Sequence, residues 1–427
     1  MKVTVMGAGW VGIVSAAAFA RFGHEVVCTD IRDERIVALN RGDLPFFEPG
    51  LFELVAEGLA SGRLQFSLGT DETIREADVV MCAVGTPPTA NGSADLSAVF
   101  ECARQFGRAS VKKSVFVIKS TVPAGTAQRC KEIIEEEQRL RQTNLSFSVA
   151  SNPEFLAEGN AVRDALTPER VVVGCDSERY FNFFEELYAP LIAQNIPVVF
   201  MSVASSELTK YAANAFLATK LSFINEIANY AEIVGADPRE VVKGIGLDSR
   251  IGPKFLRPGV GYGGSCFPKD VRALIASGNE AGYRFRILPE VDRVNTFQRV
   301  RYYEKLSGAL GGVKGRRIVI WGLSYKPETD DIRESPALYF IDRLQQEGAD
   351  IVAYDPRVKE SIHSVFPALA LAPSAEESLK GADALVLLTE WEEFSKLTVA
   401  EIRAKMLGSV IVDGRGVWKE IQNGLIT

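Results

Sequence analysis

Short apolar runs alternate with amphipathic stretches along most of the chain. VTVMG, EVVCTD, ADVVMCAVG, SVFVIKST, LSFSVASNP and RVVVGCD follow one another between residues 3 and 176. Each has the length of a buried strand, and a helical pattern follows most of them. That alternation predicts a parallel sheet wrapped by helices. A second series starts near Val313, with RRIVIWG, ADIVAYDP, ADALVLLTE and SVIVDGRG. The two series echo each other: EVVCTD and DIVAYDP both end in an acid, and ADVVMC and ADALVL open alike. Between them, Ser205 to Val234 contains neither Gly nor Pro. This predicts one long helix, from Ser205 to Gly235, that is apolar on more than one side and packs against other helices.

Length agrees with that division, since 427 residues at about 150 per domain give two to three domains. The expected boundaries are 1–200, 201–300 for the helical middle, and 301–427. A net charge of −7 lacks the basic excess that phosphate-backbone binding needs, so nucleic acid is not an expected partner. Small anions remain open, because a few cations and backbone N–H groups suffice to hold them. Six cysteines without a C-x-x-C pair suggest neither a disulfide framework nor a metal site, and fit a reducing cytoplasm. The uncharged run Val3–Ala20 after Lys2 imitates a secretory leader, but Gly7, Gly9 and Gly12 break it where a strand gives way to a helix. No stretch reaches the roughly 20 uninterrupted apolar residues of a membrane span. Only His24 and His363 occur, so acid–base work falls to Glu, Asp, Lys, Cys or Tyr.

GAGWVG, residues 7–12, follows a strand and opens a helix, and Asp30 closes the next strand. Glycines there give a tight turn and let backbone reach a pyrophosphate at a helix N-terminus, while the acid accepts the ribose hydroxyls. Gly7, Gly9, Val11, Gly12 and Asp30 are therefore candidate dinucleotide contacts. The fold class becomes α/β, with two Rossmann-like, doubly wound parallel-sheet domains joined by the long central helix and a helical middle domain. Asp30 facing a 2′-phosphate at about 4 Å would meet repulsion of about 4 kcal/mol at an effective dielectric of about 20, which favours NAD. Arg35 either offsets that repulsion or reaches the adenylate phosphate.

Five cysteines, at 28, 82, 102, 130 and 175, sit in apolar strands or helices, as small buried hydrophobes do. Cys266 differs, because it follows the glycine-rich GVGYGGS and precedes Pro268 and Lys269, where a helix begins. A thiolate there is stabilised by the helix dipole and a nearby cation, which makes Cys266 the candidate nucleophile. Glu154 and Glu158 follow the strand SFSVA at the carboxyl end, where open sheets place ligands. Lys210 and Asn214 stand at i and i+4 on one face of the long helix and would suit an oxyanion. Lys326 and Arg333 lie in the loop after the first strand of the second series, and suit a diphosphate or carboxylate.

Taken together, GAGWVG, the TPP at Thr86–Pro88, STVPAGT from Ser120, NPEFLAEG, ELTKYAANAF, FLRPGVGYGGSCFPKD and KPETDDIRES resemble the UDP-glucose 6-dehydrogenase family of nucleotide-sugar dehydrogenases. The likeness covers nearly the whole chain in order. It implies that Cys266 is the nucleophile, that Lys210, Asn214 and Asp270 surround the reacting carbon, and that Glu154 is the base for hydrolysis. Thr121 would help position water and nicotinamide. Phe155, Leu156, Glu158, the stretch Phe255, Leu256, Arg257, Pro258 and Gly259, and Gly263 would line the substrate site, with Lys326 reaching it from the C-terminal domain. Thr86, Glu158, Lys269 and Arg333 would face NAD. Arg250 resembles a residue that enters the neighbouring subunit's site, which implies a homodimer or larger assembly. Arg257 departs from a Lys and Tyr262 from a Phe in the family pattern, changing geometry while keeping charge or ring. The implied reaction is four-electron oxidation of UDP-glucose to UDP-glucuronate. GDP-mannose or a UDP-N-acetylhexosamine as substrate, a two-electron hydroxyacid dehydrogenase, and a non-enzymatic NAD-binding regulator are the alternatives.

Overall fold

A computed structural model of the chain describes residues 1–421 and 424–426, in two compact units, Met1–Ala213 and Asn214–Thr427. Eight strands build the sheet of the first unit: β1 (Lys2–Met6), β2 (Glu25–Asp30), β3 (Leu64–Leu68), β4 (Val79–Cys82), β5 (Ser114–Ile118), β6 (Phe147–Ser151), β7 (Val171–Gly174) and β8 (Val198–Met201). Their order is β3-β2-β1-β4-β5-β6-β7-β8, which begins as the 3-2-1-4-5-6 of dinucleotide-binding sheets. All neighbours are parallel except β6 and β7, which meet antiparallel at Ser151 and Gly174.

Side chains of a strand point alternately to opposite faces, so a strand apolar at every position feeds two cores. Val79, Met81, Val115 and Val117 pack with the helix Trp10–Arg21 on one face. Val80, Cys82, Phe116 and Ile118 pack with the helices Ser97–Ala109 and Thr126–Leu140 on the other. This is the doubly wound arrangement the apolar runs predict.

The second unit repeats the plan with β9 (Arg317–Trp321), β10 (Asp350–Tyr354), β11 (Ala370–Leu371), β12 (Ala384–Leu387), β13 (Val410–Asp413) and β14 (Leu425–Ile426). The order is β11-β10-β9-β12-β13-β14, with only β14 antiparallel to its neighbour. Ile318, Ile320 and Val386 enter one core, Val319, Trp321 and Leu385 the other.

The long helix runs Val203–Val234, starting two residues before the predicted Ser205. Its residues up to Ala213 belong to the first unit and the rest to the second. Polar residues along it serve tertiary partners. Ser222 Oγ donates to the Val291 carbonyl at 2.8 Å, and Asn225 Oδ1 accepts the Gly259 N–H at 2.8 Å. Among the described residues no helix is long and apolar enough to cross a membrane.

Candidate active site

The turn between β1 and the helix Trp10–Arg21 requires glycine for two separate reasons. Gly7 has φ +104°, and a Cβ on it would lie 2.7 Å from the Ala83 carbonyl oxygen; a Cβ on Gly12 would lie 1.8 Å from that of Gly7. Both hold the turn against β4 and against itself. Gly9, the N-cap, is different, because a Cβ there would meet no protein atom within 4 Å. Packing does not demand glycine at this position, which leaves the helix N-terminus open to the close approach that a pyrophosphate would need. Val11 lies in the first turn. Asp30, at the end of β2, accepts the Ala8 N–H at 3.2 Å and the Arg32 N–H at 3.1 Å. Burial would raise its carboxyl, but that N–H and the guanidinium groups of Arg32 and Arg35 outweigh burial and hold it below the usual range.

Arg35 Nη1 also donates to the Ala8 carbonyl at 3.2 Å, so it clamps the glycine turn. Two cations thus flank Asp30, where the sequence singled out one. The Asp30 carboxylate engages both. Thr86, after β4, donates through Oγ1 to the Thr121 carbonyl at 3.0 Å, joining two of the predicted nicotinamide-side loops.

At the carboxyl end of β6 the chain turns through Asn152 and Pro153 to Glu154. Glu154 Oε1 stands 3.1 Å from Lys210 Nζ, with side chains 5% and 4% exposed. Its other oxygen accepts the Leu156 N–H at 2.5 Å. The acid therefore forms a buried ion pair with the long helix and caps no helix. The Phe155 ring lies under the Arg170 guanidinium at 3.7 Å and 5.3 Å from Lys210 Nζ. Glu158 is buried in the same turn.

In the second unit, Cys266 is the N-cap of the helix Phe267–Glu280, with Pro268 in its first turn. Its carbonyl accepts the Asp270 N–H at 2.8 Å, and its Sγ lies 3.5 Å from Ser265 Oγ. Asp270, 1% exposed, binds Asn214 Nδ2 at 2.7 Å and Lys269 Nζ at 2.5 Å. Asn214, Asp270 and Lys269 are thus one network at the first turn beneath the thiol. Lys269 pairs with Asp270, and the helix N-terminus lies at Cys266 itself.

The glycine loop before Cys266 is held by the protein itself. A Cβ on Gly259 would lie 2.5 Å from the Gly414 carbonyl oxygen, and one on Gly263 2.2 Å from that of Glu334. Phe255, at φ +62°, is a bulky residue in the left-handed region, a strain concentrated at functional segments. Leu256 behind it is buried. Arg257 reaches the Gly416 carbonyl at 3.3 Å, and Pro258 leads into the glycine loop. Lys326 Nζ lies 5.5 Å from the Tyr325 ring. Arg250 and Arg333 each hold the aspartate two residues earlier, Asp248 and Asp331, at 2.6 Å.

Two residues, Lys119 and Arg415, escaped the sequence reading, and a third, Asp355, reads there only as an echo of Asp30. Lys119, at the end of an apolar run, is buried beside Asn152. Arg415, in the DGRG after β13, donates to the carbonyls of Leu388, Gly261 and Tyr325 at 2.7–3.2 Å, tying three loops together. Asp355 ends β10 as Asp30 ends β2, yet its carboxylate is taken up by the Leu323, Ser324, Arg357 and Val358 N–H groups and Trp391 Nε1. That acid secures its own loop, so the echo between the two series is one of fold.

A dinucleotide turn on a doubly wound sheet, a thiol at a helix start and a buried lysine–glutamate pair define an NAD-dependent dehydrogenase. The chain belongs to the UDP-glucose/GDP-mannose dehydrogenase family, whose NAD binding, central and UDP binding domains match residues 1–192, 204–297 and 319–420. It is 42% identical to a UDP-glucose 6-dehydrogenase of Pseudomonas aeruginosa, over 98% of this chain and 94% of that one. With a UDP-glucose 6-dehydrogenase of Rhizobium meliloti it shares 43%, over 98% and 96%. Among solved structures, a UDP-glucose dehydrogenase from Pyrobaculum islandicum superposes with TM-score 0.91 at 37% identity, covering 98% of this chain and 96% of that one.

Proposed function

We propose that this enzyme oxidises C6 of UDP-glucose to the carboxylate of UDP-glucuronate, with two NAD and one water consumed and two NADH formed. The observation that carries the reading is Cys266 at a helix start, above the Asn214–Asp270–Lys269 network. NAD, when bound at the glycine turn, supplies the hydride acceptor for each oxidation. Loss of a hydride and a proton from the primary alcohol gives the aldehyde. The Cys266 thiolate adds to its carbonyl carbon, forming the C–S bond of a thiohemiacetal, and a second hydride loss leaves the thioester. Lys210 and Asn214, one turn apart, donate to the oxygen on which negative charge develops. Glu154 takes a proton from water as water adds, the C–S bond breaks, and the thiolate is restored. Substrate identity follows the relatives named UDP-glucose dehydrogenases, and the match of residues 319–420 to a UDP binding domain supports the nucleotide.

The assembly in this proposal is a homodimer. Phe216, Phe223 and Tyr230, spaced by seven on the long helix, are 66%, 52% and 63% exposed. A spacing of seven keeps them on one side, and a second copy would remove that aromatic stripe from water. A reducing cytoplasm suits six cysteines of which none is in a disulfide.

The test is Cys266→Ser. Wild-type enzyme should release two NADH per UDP-glucose. The variant should keep its fold and lose acid formation, since an alcohol stays protonated without a dedicated base. A wild-type ratio of one, with aldehyde as product, would make Cys266 structural.

A further inference from the structure

β5 and β6 are parallel neighbours in register, Ile118 beside Ser151, so the residues that follow them, Lys119 and Asn152, lie side by side at the carboxyl end of the sheet. Lys119 Nζ donates to Asn152 Oδ1 at 3.1 Å. The same oxygen accepts the Tyr188 hydroxyl at 2.5 Å, and Asn152 Nδ2 donates to the Val172 carbonyl at 2.8 Å. Asn152 is fully buried and Lys119 nearly so. Two residues beyond Asn152 is Glu154, paired with Lys210. The corner thus holds two ammonium groups and one carboxylate, all out of water. Around them stand the Tyr188 phenol, which burial keeps neutral far above its usual range, and the Arg170 guanidinium across the Phe155 ring.

An ammonium is an expensive way to satisfy an amide oxygen that already accepts a hydroxyl. Burial lowers Lys119 to about 8, with Glu154 opposing the fall and Lys210 adding to it. The group is therefore charged at neutral pH and feels both members of the pair. In the proposed reaction Lys210 donates to the developing oxyanion, which draws it from Glu154 when the carboxylate is needed. A cation behind Asn152 would remain.

We infer that Lys119 is a positioning residue for Glu154, fixing its turn through Asn152 and keeping a positive charge in that corner while Lys210 serves the oxyanion. The inference deepens the reading of Glu154 as the base of thioester hydrolysis, and rests on it.

The full-length enzyme, given UDP-glucose and NAD, tests this with Lys119→Met, Lys119→Gln, Lys119→Arg and Glu154→Gln. Intact mass would follow adduct on Cys266, and turnover would be profiled from pH 5.5 to 9. Lys119→Met should accumulate the sugar-nucleotide thioester and move the acid limb of turnover up by about one pH unit, the scale of losing one nearby buried charge. Lys119→Arg, which keeps the charge, should leave the acid limb in place and accumulate no thioester. Lys119→Gln, which can still donate to Asn152 Oδ1 but carries no charge, should behave as Lys119→Met and decides the matter if Lys119→Met fails to fold. Equal slowing at every pH, without adduct and with the acid limb unmoved, would reduce Lys119 to a structural role. Absence of adduct in Glu154→Gln would overturn the Glu154 reading and this inference with it. Adduct in Glu154→Gln but not in Lys119→Met would overturn the inference alone.

Discussion

Replacing Glu154 by Gln removes the carboxylate 3.1 Å from Lys210 Nζ at a site where both side chains are about 95% buried. Removing one member of a buried ion pair typically costs about 3–5 kcal/mol, because the remaining charge stays desolvated. The structure argues for a value near 3, since the Gln carbonyl can still accept from Lys210. It also sets a ceiling. Lys210 can escape by releasing its proton, a step that becomes cheaper as pH rises. The folded variant then binds fewer protons than the unfolded one, so its stability deficit must shrink as pH rises. For a domain of this size, 3 kcal/mol corresponds to a melting shift on the order of 10 °C. Thermal unfolding of wild type, Glu154→Gln, Lys210→Met and the double variant at pH 7 and 9 measures this. The double variant should lose much less than the sum of the singles. Additive losses, or a Glu154→Gln deficit equal at both pH values, would show that the pair carries no buried-charge energetics.

Three further outcomes follow from the geometry. In Asp30→Ala, Arg32 and Arg35 lose the carboxylate that engages them, so the NAD-over-NADP ratio of kcat/KM should fall by two to three orders of magnitude; comparable wild-type values for both cofactors would show that the arginines already override Asp30. Burial pushes Glu207 up to about 7 although it accepts the Gly125 and Ala127 N–H groups. With its folded pKa above the unfolded value, it contributes stability that is fully present below about pH 4.5 and is lost, by about 3 kcal/mol, as pH rises through 7. Urea unfolding of Glu207→Gln across that window should be flatter than wild type, and parallel curves would contradict the assignment. Charge on the exposed stripe, as in Phe216→Asp with Phe223→Asp, should shift sedimentation from dimer to monomer without loss of helix content, and an active wild-type monomer would end the dimer proposal.

The strands most plainly written in the sequence are those buried on both faces. VVMC in β4, SVFVI in β5 and ALVL in β12 are apolar at nearly every position, a local property that needs no partner to be read. Strands β3 and β8 escaped because they are edges: LQFSL and VVFM leave residues in water, and each pairs with one neighbour only. The glycine turn and the helix start at Cys266 were equally legible, since steric and capping rules act within a few residues. Tertiary structure alone decided which charges meet. Glu154 and Lys210 are 56 positions apart, as are Asn214 and Asp270, and no periodicity within either segment specifies its partner. Asp30 and Asp355 look alike in sequence, each an acid ending a second strand, yet backbone N–H groups brought in by folding consume the second. Lys119 reads as the polar end of an apolar strand. Only the parallel register of β5 with β6 buries it beside Asn152, because desolvation and charge pairing depend on distances that chain order does not fix.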